Sequence, residues 1–188
     1  SNQWMTWLSY RHATWFGDRD PIFGQDAAFF VFQLPWLEFV RGLLLAVMVV
    51  ALAGSVLISL LPGRVAGGSG PMAPLRVARR HLSLLSAVVL LLLGAGAYLD
   101  VFGLVLSRHD IIVGASYTDV TARLPVLRVL GVVSMVGAVM AAAHAFARQS
   151  WLLPAGFGLY ALTWIGGAAF ATGVQRLVVT PNEQLKET

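Results

Sequence analysis

The chain has 188 residues, of which 57% are apolar and 12% are charged, and its formal net charge is +4. An ordinary soluble domain is about 25% charged, so this composition excludes a disordered chain, a nucleic-acid-binding domain with a broad basic surface and a soluble enzyme of usual composition. The sequence contains no cysteine, which excludes disulfides, thiolate zinc sites and cysteine nucleophiles. Because the apolar residues come in long runs and the mean hydropathy is +0.74, we expect an all-α membrane protein.

The first 35 residues are polar and aromatic, and we expect this N-terminal arm (residues 1–35) to lie along the outer surface of the membrane. Tryptophan and tyrosine prefer the headgroup layer, where an apolar ring body and a polar edge are both accommodated. The arm is predicted to be partly helical at both ends, around the turn-forming residues 17–21. We expect it to contact a partner protein through acidic, aromatic and proline residues, namely Asp18, Asp20, Pro21, Phe23, Asp26 and Phe30.

Four apolar runs follow the arm, and each is long enough for a helix that crosses the hydrocarbon layer, which takes about 20 residues. Pro125 and Pro154 stand near the starts of the third and fourth runs, where proline fits the first helical turn. The glycine-rich stretch 63–74, between the first two runs, is typical of a flexible linker. We predict four transmembrane helices at about 36–61, 82–106, 126–147 and 152–173, which form a membrane domain over 36–173 with an outer tail at 174–188.

Charge placement predicts the orientation of these helices. The loop between the first and second predicted helices carries basic residues and no acidic one, and short basic loops stay in the cytoplasm. Both termini are therefore expected on the periplasmic side of a bacterial inner membrane. We expect the arginines of this loop to fix the orientation of the helices and to contact anionic lipid headgroups. These arginines are Arg64, Arg76, Arg79 and Arg80. We expect no nucleic-acid partner.

Ionisable side chains within a membrane span are costly and often functional. Asp100 lies in the second run, about eighteen residues or ~27 Å from Leu82, which places it near the outer interface. We expect its carboxylate to bond a neighbouring loop or Arg108. Glu38 and Arg41 open the first helix three residues apart, the spacing of a local ion pair.

Two histidines, His81 and His144, are expected near the cytoplasmic interface, at the start of the second helix and near the end of the third. Neutral imidazoles at matched depth can ligate haem or the magnesium of a bacteriochlorophyll, so these are the candidate cofactor ligands. Alternatively, they face headgroups or bond helix-end carbonyls. Motifs such as His-Glu-x-x-His or a glycine-rich phosphate loop do not occur, so we predict no catalytic residue, no metal site and no enzyme activity.

Small side chains recur every four residues on the third and fourth predicted helices. At this spacing they let two helix backbones approach closely, and dispersion and weak Cα–H···O contacts then hold the helices together in lipid. These faces either pack the chain's own bundle or contact a partner protein or lipid. The residues are Ser134, Ala138 and Ala142 on the third helix, and Thr163, Gly167 and Ala171 on the fourth.

Three separated motifs, in a consistent order, point to a known family. FGDRDPIFGQD at 16–26 is followed by FFVFQLP at 29–35, GASYTDV stands at 114–120, and the third motif begins with VQR at 174–176. With these motifs the chain resembles the large bacterial membrane proteins of uncharacterised protein family 0182. The resemblance implies a membrane fold and a topology, and it implies no reaction, because the family has no established activity.

Members of that family are several times longer, with more membrane helices before this region and a large extracytoplasmic domain after it. The resemblance therefore implies that this chain corresponds to the middle of the family's membrane part. At Leu99-Asp100-Val101-Phe102 the chain departs from the family's usual Leu-Asp-Arg-Tyr pattern, and the basic residue is missing.

We expect a non-catalytic structural or accessory transmembrane subunit, which stabilises a larger bacterial membrane complex together with other integral membrane proteins and lipids. An energy-transducing host, either a photosynthetic reaction-centre–antenna complex or a respiratory complex, is the first expectation. One alternative is a haem- or bacteriochlorophyll-ligating subunit, and another is a fragment of a transporter. The mid-membrane segments consist of Ala, Val, Leu, Gly and Ser, whereas transport usually requires ionisable residues there.

Overall fold

The computed structural model describes residues 3–17, 24–60, 73–104, 108–109, 112–113, 122–147 and 149–174. These residues form five α-helices, one π-helical turn and two antiparallel strands of two residues each. The predicted all-α membrane fold is confirmed. In chain order the elements are α1 (Gln3–Arg11), the π-helix (Phe29–Gln33), α2 (Leu34–Leu60), α3 (Ala73–Gly103), β1 (Arg108–His109), β2 (Ile112–Val113), α4 (Leu124–Phe146) and α5 (Leu152–Val174).

Within the described ranges, four helices are long and apolar enough to cross a membrane: α2 with the preceding π-helix, α3, α4 and α5. The candidate span of α2 begins at Phe29, inside the stretch predicted as a surface arm, because the π-helix runs directly into Leu34. The α3 helix begins at Ala73, nine residues before the predicted start at 82. Its earlier start is favoured because Pro74 suits a first helical turn and the leucine, alanine and arginines that follow are good helix formers.

The earlier start of α3 changes the surroundings predicted for the basic cluster. Arg79 and Arg80 lie on the helix itself and not in a loop. Arg80 is exposed, and its guanidinium carbon lies 5.7 Å from the centroid of the Phe146 ring at the end of α4. Arg64 and the side chain of Arg76 lie outside the described residues, so their role as topology and lipid anchors stays a prediction.

The centre of the bundle is the pair α3 and α4, with α2 packed against α3 and α5 packed against α4. Ala87 and Leu90 of α3 meet Ala138 and Ala141 of α4 in the apolar core. Leu90 and Ala141 are completely buried. The small side chains of this core allow the two helix backbones to approach closely, as membrane helices require.

A polar contact also joins α3 to α4. The side chain of Ser134 is fully buried, and its hydroxyl donates a hydrogen bond to the carbonyl oxygen of Leu90. A Cβ atom added to Gly94 would lie 3.0 Å from both Cβ and Oγ of Ser134, so the glycine makes room for this serine. The serine therefore satisfies its own hydroxyl while it holds the two helices in register.

The backbones of α4 and α5 touch at two glycines. A Cβ atom added to Gly156 would lie 3.0 Å from the carbonyl oxygen of Gly137 and 3.3 Å from its Cα. A Cβ atom added to Gly137 would in turn lie 3.1 Å from the carbonyl oxygen of Gly156. Because backbone atoms cannot move aside as a flexible side chain can, this crossing requires glycine on both helices.

Asp26 attaches the N-terminal arm to the start of the π-helix, and its side chain is buried. Its Oδ1 accepts hydrogen bonds from the backbone N–H groups of Phe16, at 3.2 Å, and Ala28, at 2.8 Å. Its Oδ2 accepts a third from the backbone N–H of Gly17, at 2.8 Å. Gly17 has a φ of 85°, in the left-handed region that favours glycine, so the arm turns back towards the carboxylate at this residue.

Aromatic rings join the same segment to the end of α3. The ring centroid of Phe29 lies 5.3 Å from that of Phe102, and Tyr98 lies 5.2 Å from Phe102, both in T-shaped arrangements. Phe30 is buried next to them, with its ring centroid 6.5 Å from that of Phe102. Aromatic pairs of this kind each contribute about 0.5–1.5 kcal/mol beyond burial, so the start of the α2 span is held firmly against α3.

Candidate functional site

A polar cavity of about 230 Å³ lies between the four membrane helices, near the end of α3 and the start of α4. Arg41 of α2, Asp100 of α3 and Tyr160 of α5 line it, together with Arg123, which immediately precedes α4. All four helices therefore meet at this cavity. The rest of the lining is mainly apolar and consists of Leu93, Ala97, Val126, Leu127, Leu130, Trp164, Gly167, Ala168 and Ala171.

Arg41 reaches from α2 to α3, where its guanidinium lies against Gly96. A Cβ atom added to Gly96 would overlap Nη1 of Arg41 and lie 2.8 Å from Cζ, so a side chain at this position would displace the guanidinium. The Nε atom of Arg41 is buried and has no hydrogen-bond partner among the described residues. Leaving a buried polar group unsatisfied costs about 1–3 kcal/mol and more for a charged one, so we expect water or an anionic group in the cavity to meet this arginine.

Charges of both signs surround the cavity. Glu38, one helical turn before Arg41, interacts electrostatically with Asp100 and with Arg41. The hydroxyl of Tyr160 is within electrostatic range of Arg41 and Asp100 as well. A nearly balanced set of guanidinium, carboxylate and hydroxyl groups offers both donors and acceptors, so the site can hold water and bind a small polar molecule.

The structure extends what the sequence indicates for the charged residues. Glu38 and Arg41, predicted as a local pair, belong to a larger group that includes Asp100. Asp100 lies three residues before the end of α3, and the Arg108 side chain expected to pair with it lies outside the described residues. Sequence reasoning does not single out Arg123 or Tyr160. Arg123 could have been found by counting from the predicted helix ends, because it comes close to Asp100 at the same end of the bundle.

The two histidines differ in exposure. His81 is exposed on α3, whereas His144 of α4 is only 7% exposed. Nδ1 of His144 lies 2.8 Å from the carbonyl oxygen of Gln149, just after the end of α4. This carbonyl lies in the loop between α4 and α5, and cofactor ligation by either histidine stays a prediction. No group of three or more potential metal-ligating side chains occurs within the described ranges.

The small-residue face of α4 packs against α3 of the same chain. Ala138 is part of the core shared with α3, and Ala142 is partly buried against the same core. Ser134 is fully buried and bonded to α3. Ser134 and Ala138 therefore have no surface left for the partner contact that their spacing also allowed.

The small-residue face of α5 lies partly along the polar cavity. A Cβ atom added to Gly167 would overlap Cγ1 of Val126, so α4 and α5 are close here as well. Ala171 lines the cavity. The hydroxyl of Thr163 donates a hydrogen bond of 2.8 Å to the carbonyl oxygen of Leu159 in its own helix. This face is thus largely turned towards the bundle, with Thr163 satisfied locally.

The arm residues predicted to contact a partner have internal roles where the structure describes them. Asp26 is bonded to the backbone of the arm, and Phe30 is packed against Phe102. Both side chains are buried, so neither has a surface free for another protein. The remaining four, Asp18, Asp20, Pro21 and Phe23, lie outside the described residues.

Comparison with known proteins places the chain in a family. A protein of Kineococcus radiotolerans described as a UPF0182 protein is 39% identical over 193 residues, which cover 100% of this chain and 19% of that protein. Similar proteins of Thermobifida fusca and Streptomyces coelicolor are 36% and 34% identical, covering 98% and 100% of this chain and 18% and 19% of their own lengths. No solved structure matches. The chain therefore spans about a fifth of these relatives.

The family pattern covers the whole chain. The pattern described as Uncharacterised protein family (UPF0182) matches residues 1–188, which include all three motifs noted in the sequence. The four helices that can cross a membrane and the polar cavity accordingly lie in the part of the chain that matches this family. On this match and on the identity with its relatives, the chain belongs to uncharacterised protein family UPF0182.

Proposed function

We propose that this chain is a non-catalytic structural segment of a larger bacterial membrane assembly, where it packs against other integral membrane proteins and lipids. The exposure of the two flanking helices carries this proposal. In the most apolar 18-residue stretches of α2 and α5 no residue is buried within the chain, compared with 39% in α3 and 28% in α4. Continuous apolar surface of this kind is covered by lipid or by neighbouring helices.

Large apolar side chains point outward along both flanking helices. Val50 on α2 is 71% exposed, and Leu162 on α5 is 72% exposed. The chain covers only 19% of the length of a relative, so a whole family protein has other segments that can cover these faces. The bundle is thus well suited to serve as a packing element whose own core is the α3–α4 pair.

We further propose that the chain lies in the inner membrane with the start of α2 and the end of α5 on the periplasmic side. Arg79 and Arg80, near the start of α3, support this orientation, because arginine next to a membrane helix favours the cytoplasmic side. As host we propose an energy-transducing complex, photosynthetic or respiratory. In such a host, a contact of His81 or His144 with haem or bacteriochlorophyll remains a proposal that pigment analysis of the purified complex tests.

Bulky substitutions on the outward faces test the packing role. Leu162→Trp on α5, or Val50→Trp on α2, is expected to lower recovery of the chain in a larger complex about tenfold, because overpacking a contact costs about 1–3 kcal/mol. The measurement is native electrophoresis after mild-detergent extraction, with the polypeptides and pigments of each band identified. Met5→Trp is the matched control, since Met5 is 65% exposed on α1 and outside the spans. Recovery of the unsubstituted chain only as a monomer contradicts the proposal.

The polar cavity favours a second candidate function, the binding or passage of a small polar solute. Charged groups within a membrane bundle are expensive, and their usual use is a pathway or binding site for a polar species. Arg41, Asp100 and Arg123 all face the same cavity, which supports this alternative over a purely apolar bundle.

Cysteine labelling tests whether water reaches this cavity. The chain has no cysteine of its own, so Ala168→Cys in the cavity wall provides a single thiol. A membrane-impermeant maleimide is expected to modify it, because maleimide reacts with the thiolate, which needs water. Ala169→Cys, exposed on the next position of α5 but outside the cavity lining, is expected to react much more slowly. Equal protection of both positions argues against a hydrated cavity, and solute flux that survives Asp100→Asn argues against transport.

A further inference from the structure

A second and larger depression, of about 790 Å³, lies between α3 and α4, and all of its described lining residues belong to these two helices. Its floor is formed by the small residues Gly94, Ala95 and Gly131. A Cβ atom added to Gly131 would have a single neighbour within 4 Å, the carbonyl oxygen of Gly94 at 3.9 Å. Because these residues have no side chain or only a methyl group, an open apolar groove remains along the surface of α3 and α4.

The length of this groove matches one leaflet of a bilayer. Along α3 it extends from Leu91 to Phe102, which is ~16 Å at 1.5 Å per residue. The hydrocarbon core of a bilayer is about 30 Å thick, so one leaflet occupies ~15 Å. The end of the groove at Phe102 lies next to the end of α3, where the membrane interface is expected. A single acyl chain that enters from the interface would therefore fill the groove along its length.

A cation stands at the interfacial end of the groove. Arg128, one turn into α4, lines the groove and is exposed. None of the carboxylates in the described ranges is paired with it. Tyr98, which is 63% exposed, lines the groove nearby and is of the type that favours the headgroup layer. An arginine in this position is stabilised by charge-assisted hydrogen bonds to a phosphate, and basic residues near the surface attract anionic lipid.

We propose that the groove between α3 and α4 is a lipid-binding site that holds one acyl chain of an anionic phospholipid, with the lipid phosphate bound by Arg128. The apolar floor accepts the chain, and the guanidinium selects the charge of the headgroup. This site is separate from the outward faces of α2 and α5 on which the proposed packing role rests, so each can fail without the other.

Lipid retention measures this site directly. The full chain is reconstituted in mixed vesicles of phosphatidylglycerol and phosphatidylcholine and extracted in mild detergent, and retained lipid is counted by native mass spectrometry. We expect one retained phosphatidylglycerol per chain, in preference to phosphatidylcholine. Arg128→Gln is expected to lower its retention about fivefold, the effect of removing one basic residue near an anionic membrane surface. Arg11→Gln, which removes an exposed arginine at the end of α1, is the charge control and is expected to change little.

Filling the groove separates it from general surface charge. Gly131→Leu is expected to lower phosphatidylglycerol retention by a similar factor, whereas Gly158→Leu, at an exposed glycine with open space around it, is expected to leave it unchanged. If Gly131→Leu prevents folding, Ala95→Leu fills the same groove from α3, where Ala95 is exposed. Retention that persists in the filled groove overturns the acyl-chain site. Equal retention of phosphatidylcholine, or an equal loss in Arg11→Gln, overturns the role of Arg128.

Discussion

Replacing Gly156 by leucine is expected to separate α5 from α4 and to destabilise the chain by about 3 kcal/mol, at the upper end of the usual cost of overpacking. The cause is local, because the new Cβ atom would lie 3.0 Å from the carbonyl oxygen and 3.3 Å from the Cα of Gly137. Both neighbours are backbone atoms, so relief requires movement of a whole helix. Because Tyr160 and Gly167 of α5 line the polar cavity, we also expect the cavity to open.

Thermal unfolding in detergent micelles, followed by circular dichroism, measures this effect. Gly158→Leu is the matched control, since a Cβ atom at Gly158 meets nothing within 4 Å. Leucine is the better helix former by up to ~1 kcal/mol, so the control variant is expected to keep or slightly raise the stability. Equal destabilisation by both substitutions would show that glycine is needed in α5 for a reason other than the contact with Gly137.

Replacing Asp26 by alanine is expected to release the N-terminal arm from the bundle, with a loss of stability of about 3 kcal/mol. The carboxylate accepts hydrogen bonds from three backbone N–H groups, those of Phe16, Gly17 and Ala28. Bonds to a charged acceptor contribute roughly 1.5–3 kcal/mol each, and the expected total is below their sum because released amides of the exposed arm regain water. Asp26→Asn keeps one carbonyl oxygen and is expected to lose less.

Hydrogen exchange reads out this attachment at individual amides. In the alanine variant the amides of Phe16, Gly17 and Ala28 are expected to exchange faster than in the unsubstituted chain, while those of the α3–α4 core remain protected. Gln25→Ala, at the exposed position next to Asp26, is the control and is expected to leave all of these rates unchanged. Unchanged protection of Phe16 and Gly17 in Asp26→Ala would contradict the attachment.

The membrane helices could be predicted because lipid imposes a simple rule on sequence. A run of about 20 apolar residues is required for each span, and all four predicted runs coincide with a helix that can cross a membrane. The start of α3 was harder to predict, since Ala73 and Pro74 are the last two residues of the glycine-rich stretch predicted as a linker. Composition there favours an extended segment, whereas the structure continues the helix outward through the arginines.

The contacts that form the sites were predictable only in part. Four-residue spacing correctly marked Ser134 and Ala138 as close-packing positions, but the pattern does not specify whether the partner is α3 or another protein. The contact of Arg41 with Gly96 joins residues 55 positions apart, and no local pattern contains it. Asp26 likewise bonds amides nine and ten residues before it, so its acid side chain in a partly polar arm suggested surface contact instead.

The five-residue π-helix at Phe29–Gln33 determines in which direction the side chains of α2 point relative to the N-terminal arm. Each residue of an α-helix advances the side-chain direction by about 100°, and a π-helical turn accommodates an extra residue without breaking the rod. If the same five residues formed a regular α-helix, the extra residue would turn α2 by about a quarter of a revolution with respect to Asp26, and the direction of Arg41 relative to Gly96 would change with it. The orientation of Arg41 relative to the N-terminal arm thus depends on this single turn.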